Sequence, residues 1–210
     1  MKNLLFVLFL LLSPTIFSQI NVDSIALYMF EIHNDMREKN GSAKRYMSKY
    51  CKQASKVHLD YLLMYGFSEG HYETKINVGS KILNKPIDRY NYFNRDSVKY
   101  NDIDYVGYVK PYKYSSEICN YQTITLDLND KSLNRKIALE LIENYMVSKL
   151  HYNALFTSNF DEQINRCYFS VNYKIENGKY VFYSVGVFDR SLTKRINLTK
   201  DYQKGYNFIY

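Results

Sequence analysis

The chain reads as an α+β fold, with helices covering a small, mainly antiparallel sheet, and three observations predict it. Two N-terminal stretches carry apolar residues at helical spacing. Later stretches alternate apolar and polar residues, and two of them are joined by Asn177-Gly178, the strongest short-range hairpin signal. Helices and strands are mixed without a βαβ repeat, which sets purely parallel sheets aside.

The first helix is expected over residues 21–40. Val22, Ile25, Met29, Ile32 and Met36 recur at three- and four-residue steps, Asp23 or Ser24 can cap the start, and Gly41 follows the end. Within it, EIHNDMRE (31–38) sets His33 and Arg37 one turn apart on a shared face. His33 reads as a hydrogen-bonded structural histidine. A second helix is predicted from a Ser42 cap to about Tyr65, with Ala43, Met47, Cys51, Ala54, Tyr61 and Leu62 on its apolar face and Gly66 at its end. Val57 or His58 completes that face. Lys44, Arg45, Lys49, Lys52 and Lys56 make the remainder basic, the pattern of a solvated surface.

Residues 72–114 show no clear period and read as a long connection with a short helix near 82–92; loops of this length in a compact domain are functional or partly ordered. A half-buried strand is expected over 121–128, where Gln122, Ile124, Leu126 and Leu128 alternate with Thr123, Thr125 and Asp127. A helix begins at Asp130 or Ser132. Its stripe of Ile137, Leu141, Ile142, Tyr145 and Met146 leads to His151, placed just past the helix end. A polar turn at 157–159 precedes strands over 167–175 and 180–188, and residues 189–210 read as a polar C-terminal extension with an aromatic end.

Residues 1–18 have the layout of a secretory signal peptide: a short basic start at Lys2, nine apolar residues Leu4 to Leu12, a break at Pro14, and Ser18 before the cut. The apolar run is about half the roughly 20 residues a membrane-spanning helix needs, so no membrane span is expected once the leader is removed. The domain then occupies 19–188. The formal charge of +7 falls to about +6 with Lys2 gone, which suits anionic surfaces such as cell-wall polymers or lipid head groups. The basic residues scatter, so nucleic acid is not an expected partner. With 46% apolar residues, disorder is set aside. Cys51, Cys119 and Cys167 can form at most one internal bridge and read as small buried hydrophobes.

Taken in order, several stretches resemble the CAP superfamily, also called SCP-like. EIHNDMRE resembles its opening HN-x-x-R helix, and KQASKVHLDYLLMYG (52–66) its second helix. FSEGH (67–71) sits where that helix delivers the first site histidine, and Pro86-Ile87-Asp88-Arg89 is similar to the family's Pro-x-x-Arg. SSEICN (115–120) stands in place of its Gly-Glu-Asn signature. ENYMVSKLHYNAL (143–155) resembles its Trp-x-x-Ser-Pro-Gly-His-Arg stretch, and the closing hairpin suits the domain's end. The resemblance covers about residues 22–188. Departures are plain: Ser116 and Ile118 flank the signature glutamate, Lys149-Leu150 replaces Pro-Gly, and Tyr145 stands for the tryptophan.

The resemblance implies an α-β-α sandwich with a cleft where His71, Glu117 and His151 converge. Residue chemistry agrees with such a trio. Two imidazoles, His71 and His151, with one carboxylate can hold a divalent metal such as zinc, or Glu117 can instead orient one imidazole through its other ring nitrogen. Three functions follow as expectations: a secreted, non-enzymatic domain binding a small molecule, lipid or protein partner through the cleft; a metal-dependent, peptidase-like hydrolase in which Glu117 acts; or a structural, envelope-associated interaction module. No HExxH helix or serine elbow supports the hydrolase, and Cys119 is the one conceivable nucleophile.

Overall fold

The computed structural model describes residues 19–75, 83–93, 115–156 and 165–190. The expected leader at 1–18, most of the 72–114 connection, the turn at 157–159 and residues 191–210 lie outside them.

Helix α1 (Val22–Lys39) starts where the Asn21 side chain accepts the Ser24 N–H at 2.9 Å, and Asp23 and Arg37 with Lys39 suit its dipole ends. The second helix starts later than its spacing suggests. Asn34 holds the backbone of Arg45 with two hydrogen bonds, and strand β1 (Tyr46–Met47) pairs in parallel with Arg166 and Cys167. Residues 42–48 are therefore held away from helix, and Ser48, not Ser42, caps α2 (Lys49–Tyr65). Gly66, at φ 89°, ends it, and a single 3-10 turn follows at Phe67–Glu69. Helix α3 (Pro86–Phe93) falls close to the expected short helix.

Strand β2 (Ser115–Ile124) is shifted towards the N-terminus from the expected 121–128. Its register explains the shift. Ser115 pairs with Asp189 and Ile124 with Tyr180, so the partner strand runs out just beyond Ile124. Leu126 and Leu128 still pack against the core from a turn in which Asp127 accepts from the Asn129 N–H. Helix α4 (Leu133–Val147) ends at Ser148, whose extended backbone breaks the helix, and a second short helix α5 (Lys149–Phe156) begins. His151 thus lies inside its own two-turn helix rather than past a helix end.

Strands β3 (Asn165–Glu176) and β4 (Lys179–Arg190) form the expected hairpin. Asn177 (φ 50°) and Gly178 (φ 74°) both take positive φ, the requirement of a type I′ turn. The strand order is β1-β3-β4-β2, antiparallel except for β1. Asp189 and Arg190 belong to β4, so the folded domain continues past the boundary expected at 188.

Helices cover both faces of this sheet. On one face α1, α4 and α5 pack against Ile118, Phe169, Phe182 and Phe188. On the other, α2 and α3 pack against Cys119, Val181, Val185 and Val187. Central strand β4 is buried on both faces, which is why its apolar run is nearly continuous. Gly186 sits where α-carbon substitution has no room: a Cβ there would lie 2.9 Å from the Phe169 ring and 3.0 Å from Ile118. Gly186→Ala is expected to cost about 1–3 kcal/mol through overpacking. A urea midpoint equal to that of the unsubstituted chain would show that the sheet face can yield.

Candidate functional site

The HN-x-x-R residues of α1 do structural work. His33 Nε2 donates to the Leu155 carbonyl at 3.0 Å, and Arg37 donates to the same oxygen at 2.8 Å. Arg45 reaches the Ala154 carbonyl at 2.9 Å. Three side chains thereby satisfy the open carbonyl end of α5. Burial, then the charge of Arg45, pushes the His33 pKa down to about 3, against a weaker upward pull from the Leu155 carbonyl, so the ring is neutral. This matches the reading of His33 as structural.

The sequence-predicted trio meets along β2, the end strand of the described sheet, where the two helical layers come together. Glu117 projects from β2 with its side chain fully enclosed, and Cys119 shares its face. His71 follows the 3-10 turn and Gly70, and its Nδ1 lies 3.2 Å from Glu117 Oε1. His151 comes from α5 on the opposite layer. Its ring meets His71 edge to face at a centroid distance of 6.2 Å and meets Tyr145 at 5.6 Å. The Tyr145 hydroxyl is in turn bonded to Ser184 at 2.7 Å.

Beneath the trio lies a layer of charge that sequence reasoning did not assemble. Arg89 from α3, wholly buried, donates through Nη2 to Glu117 Oε1 at 2.6 Å and through Nε to Oε2 at 3.2 Å. Its Nη1 reaches Glu73 at 3.2 Å. His58 from α2 places Nδ1 at 2.9 Å from Glu73 and Nε2 at 2.8 Å from the Gly70 carbonyl and 3.4 Å from Glu117. A carbonyl only accepts, so His58 Nε2 is the donor to Gly70. Glu73 and Glu117 thus face Arg89 and His58 in the interior, where buried polar groups require partners. Burial alone would raise the Glu117 pKa; His58, the His71 hydrogen bond and Arg89 outweigh it and hold the carboxyl below its ordinary range.

This arrangement limits the chemistry. Both Glu117 oxygens are committed to a guanidinium, so the carboxylate orients His71 and is poorly placed to bind metal itself. Among the described residues no three His, Cys, Asp or Glu side chains are grouped to hold a metal ion. The Nδ1 contact with Glu117 makes His71 a carboxylate-oriented imidazole, the arrangement that metal sites use. Burial, and then neighbouring His71, lower the His151 pKa, which favours a neutral ring. Cys119 does not complete a nucleophile pair. Its sulfur is 3.6 and 3.8 Å from the two His71 nitrogens, so it is committed to neither. Burial and the Glu117 charge raise its pKa to about 12, and the thiol stays protonated. All three cysteines are free and buried, as expected.

Several apolar side chains close in sequence to the two histidines are exposed. Val147 and Leu150, which bracket the break before His151, are 85% and 79% exposed, and Tyr72 and Tyr152 are also exposed. A groove between α1 and α4, of about 270 Å³, shares no residue with the cluster.

No family model matches the chain, and no curated protein matches it. Among solved structures it is similar to an outer surface protein from Borrelia burgdorferi, at 12% identity over 83% of this chain and 99% of that one, with a TM-score of 0.45. That likeness is too slight to bear on function. No helix among the described residues is long and apolar enough to cross a membrane.

Proposed function

We propose that this chain is a secreted, non-enzymatic binding domain of the CAP type, in which His71 and His151 form the contact point of a cleft ordered from beneath by Glu117. The observation that carries the reading is the commitment of Glu117 to both Arg89 and His71 Nδ1. It leaves two partly exposed imidazoles close together at the site. A divalent metal such as zinc, held by these two rings, would keep positions open for donors of a small molecule, lipid or protein partner. Val147, Leu150 and Tyr72, close in sequence to the two histidines, are exposed and suit a partner with an apolar portion. Secretion rests on the leader-like layout of residues 1–18.

A peptidase would need a general base at the site. Glu117, neutralised by a guanidinium and held below its ordinary range, is a weak one. Zinc titration by calorimetry tests the binding reading. His71→Ala and His151→Ala are each expected to weaken zinc at least tenfold, about 1.4 kcal/mol or more. Equal affinity in both variants and the unsubstituted chain would remove the metal from the proposal.

A further inference from the structure

We propose that His58, buried beneath the cleft, is the positioning residue of the site. The proposal deepens the binding reading above by naming what sets the aim of His71. Gly70, immediately before that residue, has φ 57° and ψ −115°, a conformation that suits glycine, and its N–H donates locally to the Phe67 carbonyl at 3.0 Å. Two buried side chains hold it from outside. His58 Nε2 donates to the Gly70 carbonyl at 2.8 Å, and Arg89 Nη2 donates to the His71 carbonyl at 3.0 Å. Both carbonyls bordering the His71 attachment point are thus tied to the interior, while Glu117 ties the ring. His58 is itself fixed by Glu73 at 2.9 Å and stacked on Tyr61 at a centroid distance of 6.2 Å. The ring therefore works as a rigid spacer between α2 and the turn, converting the position of a helix in the core into the position of an imidazole at the surface.

The test uses the full chain without metal, then with cobalt(II) as probe. Nitrogen-15 long-range spectra of the unsubstituted protein are expected to show His71 protonated at Nδ1 and His58 protonated at Nε2, the nitrogen that meets the Gly70 carbonyl. A His58 Nε2 without a proton would overturn the proposal, and this needs no variant. His58→Phe keeps a ring but removes both ring nitrogens. Its His71 is expected to lose the single-tautomer signature, and cobalt binding to weaken by about 10- to 100-fold, the usual range for outer-shell partners. His58→Gln retains one donor and is expected to recover part of both. A folded His58→Phe with unchanged His71 nitrogen shifts would overturn the proposal. Should that variant fail to fold, Glu73→Gln, which removes the charge that anchors His58, is read in the same way. If the unsubstituted chain binds no cobalt, the metal reading fails, and the nitrogen signals alone judge His58.

Discussion

Arg89→Met is expected to destabilise the domain by about 3–5 kcal/mol, because it strands buried carboxylates without their cation. The guanidinium is fully buried and contacts both Glu117 and Glu73, so methionine fills the volume and leaves the charges. Against a typical total stability of about 5–15 kcal/mol, such a loss is large. Urea unfolding followed by circular dichroism measures it. Adding Glu117→Gln to Arg89→Met removes one stranded charge and is expected to restore part of the loss, a coupling that a double-mutant cycle isolates. A cost under about 1 kcal/mol for Arg89→Met would mean that the interior charges are neutralised some other way.

The second large effect is on pH dependence. His33 is neutral in the folded chain with its pKa near 3, whereas the unfolded chain binds a proton near 6.5. Below pH 6.5 the unfolded state therefore holds more protons at this position, and stability falls as the pH drops from 6.5 towards 3. The slope is about 1.4 kcal/mol per pH unit, or about 2 kcal/mol between about pH 6.5 and 5. Glu117, held low, adds a loss in the same direction only at more acidic pH. His33→Gln can still donate to the Leu155 carbonyl but does not titrate. Its unfolding free energy is expected to fall less steeply over about pH 6.5–5, by about the amount above; parallel curves for the two proteins would show that the ring is not held neutral.

Much of the fold was legible because its signals are local. The Asn177-Gly178 hairpin needs only two residues that accept positive φ between alternating runs, and α1 needs only its cap and spacing. Errors arose where a distant partner decides. Ser42 and Ser48 are equally good caps in isolation, and it is Asn34 and the strand pairing of Tyr46–Met47 that choose between them. The end of β2 is set by where β4 begins, at Lys179, through the Ile124–Tyr180 pairing, and is invisible in the alternation of 121–128. At the site, His71, Glu117 and His151 were found through ordered resemblance. The sequence marks Arg89 but no partner for it, and helical spacing alone places His58 on an apolar face. Glu73, in a stretch without period, carried no signal at all. Ion pairing between residues this far apart follows from packing, and periodicity does not record it.

The helix that bears His151 is only eight residues long, about two turns and well below the 12–15 or so at which an isolated helix becomes even marginal in water. Its stability is therefore borrowed from both ends: Ser148 meets the His151 N–H at its start, and His33, Arg37 and Arg45 grip its last carbonyls. It behaves as a strut bolted at the end away from the cleft. The tilt of His151 is thus governed by residues from the first quarter of the chain, and the surface histidine pair is aligned by two separate interior fixtures, one for each ring.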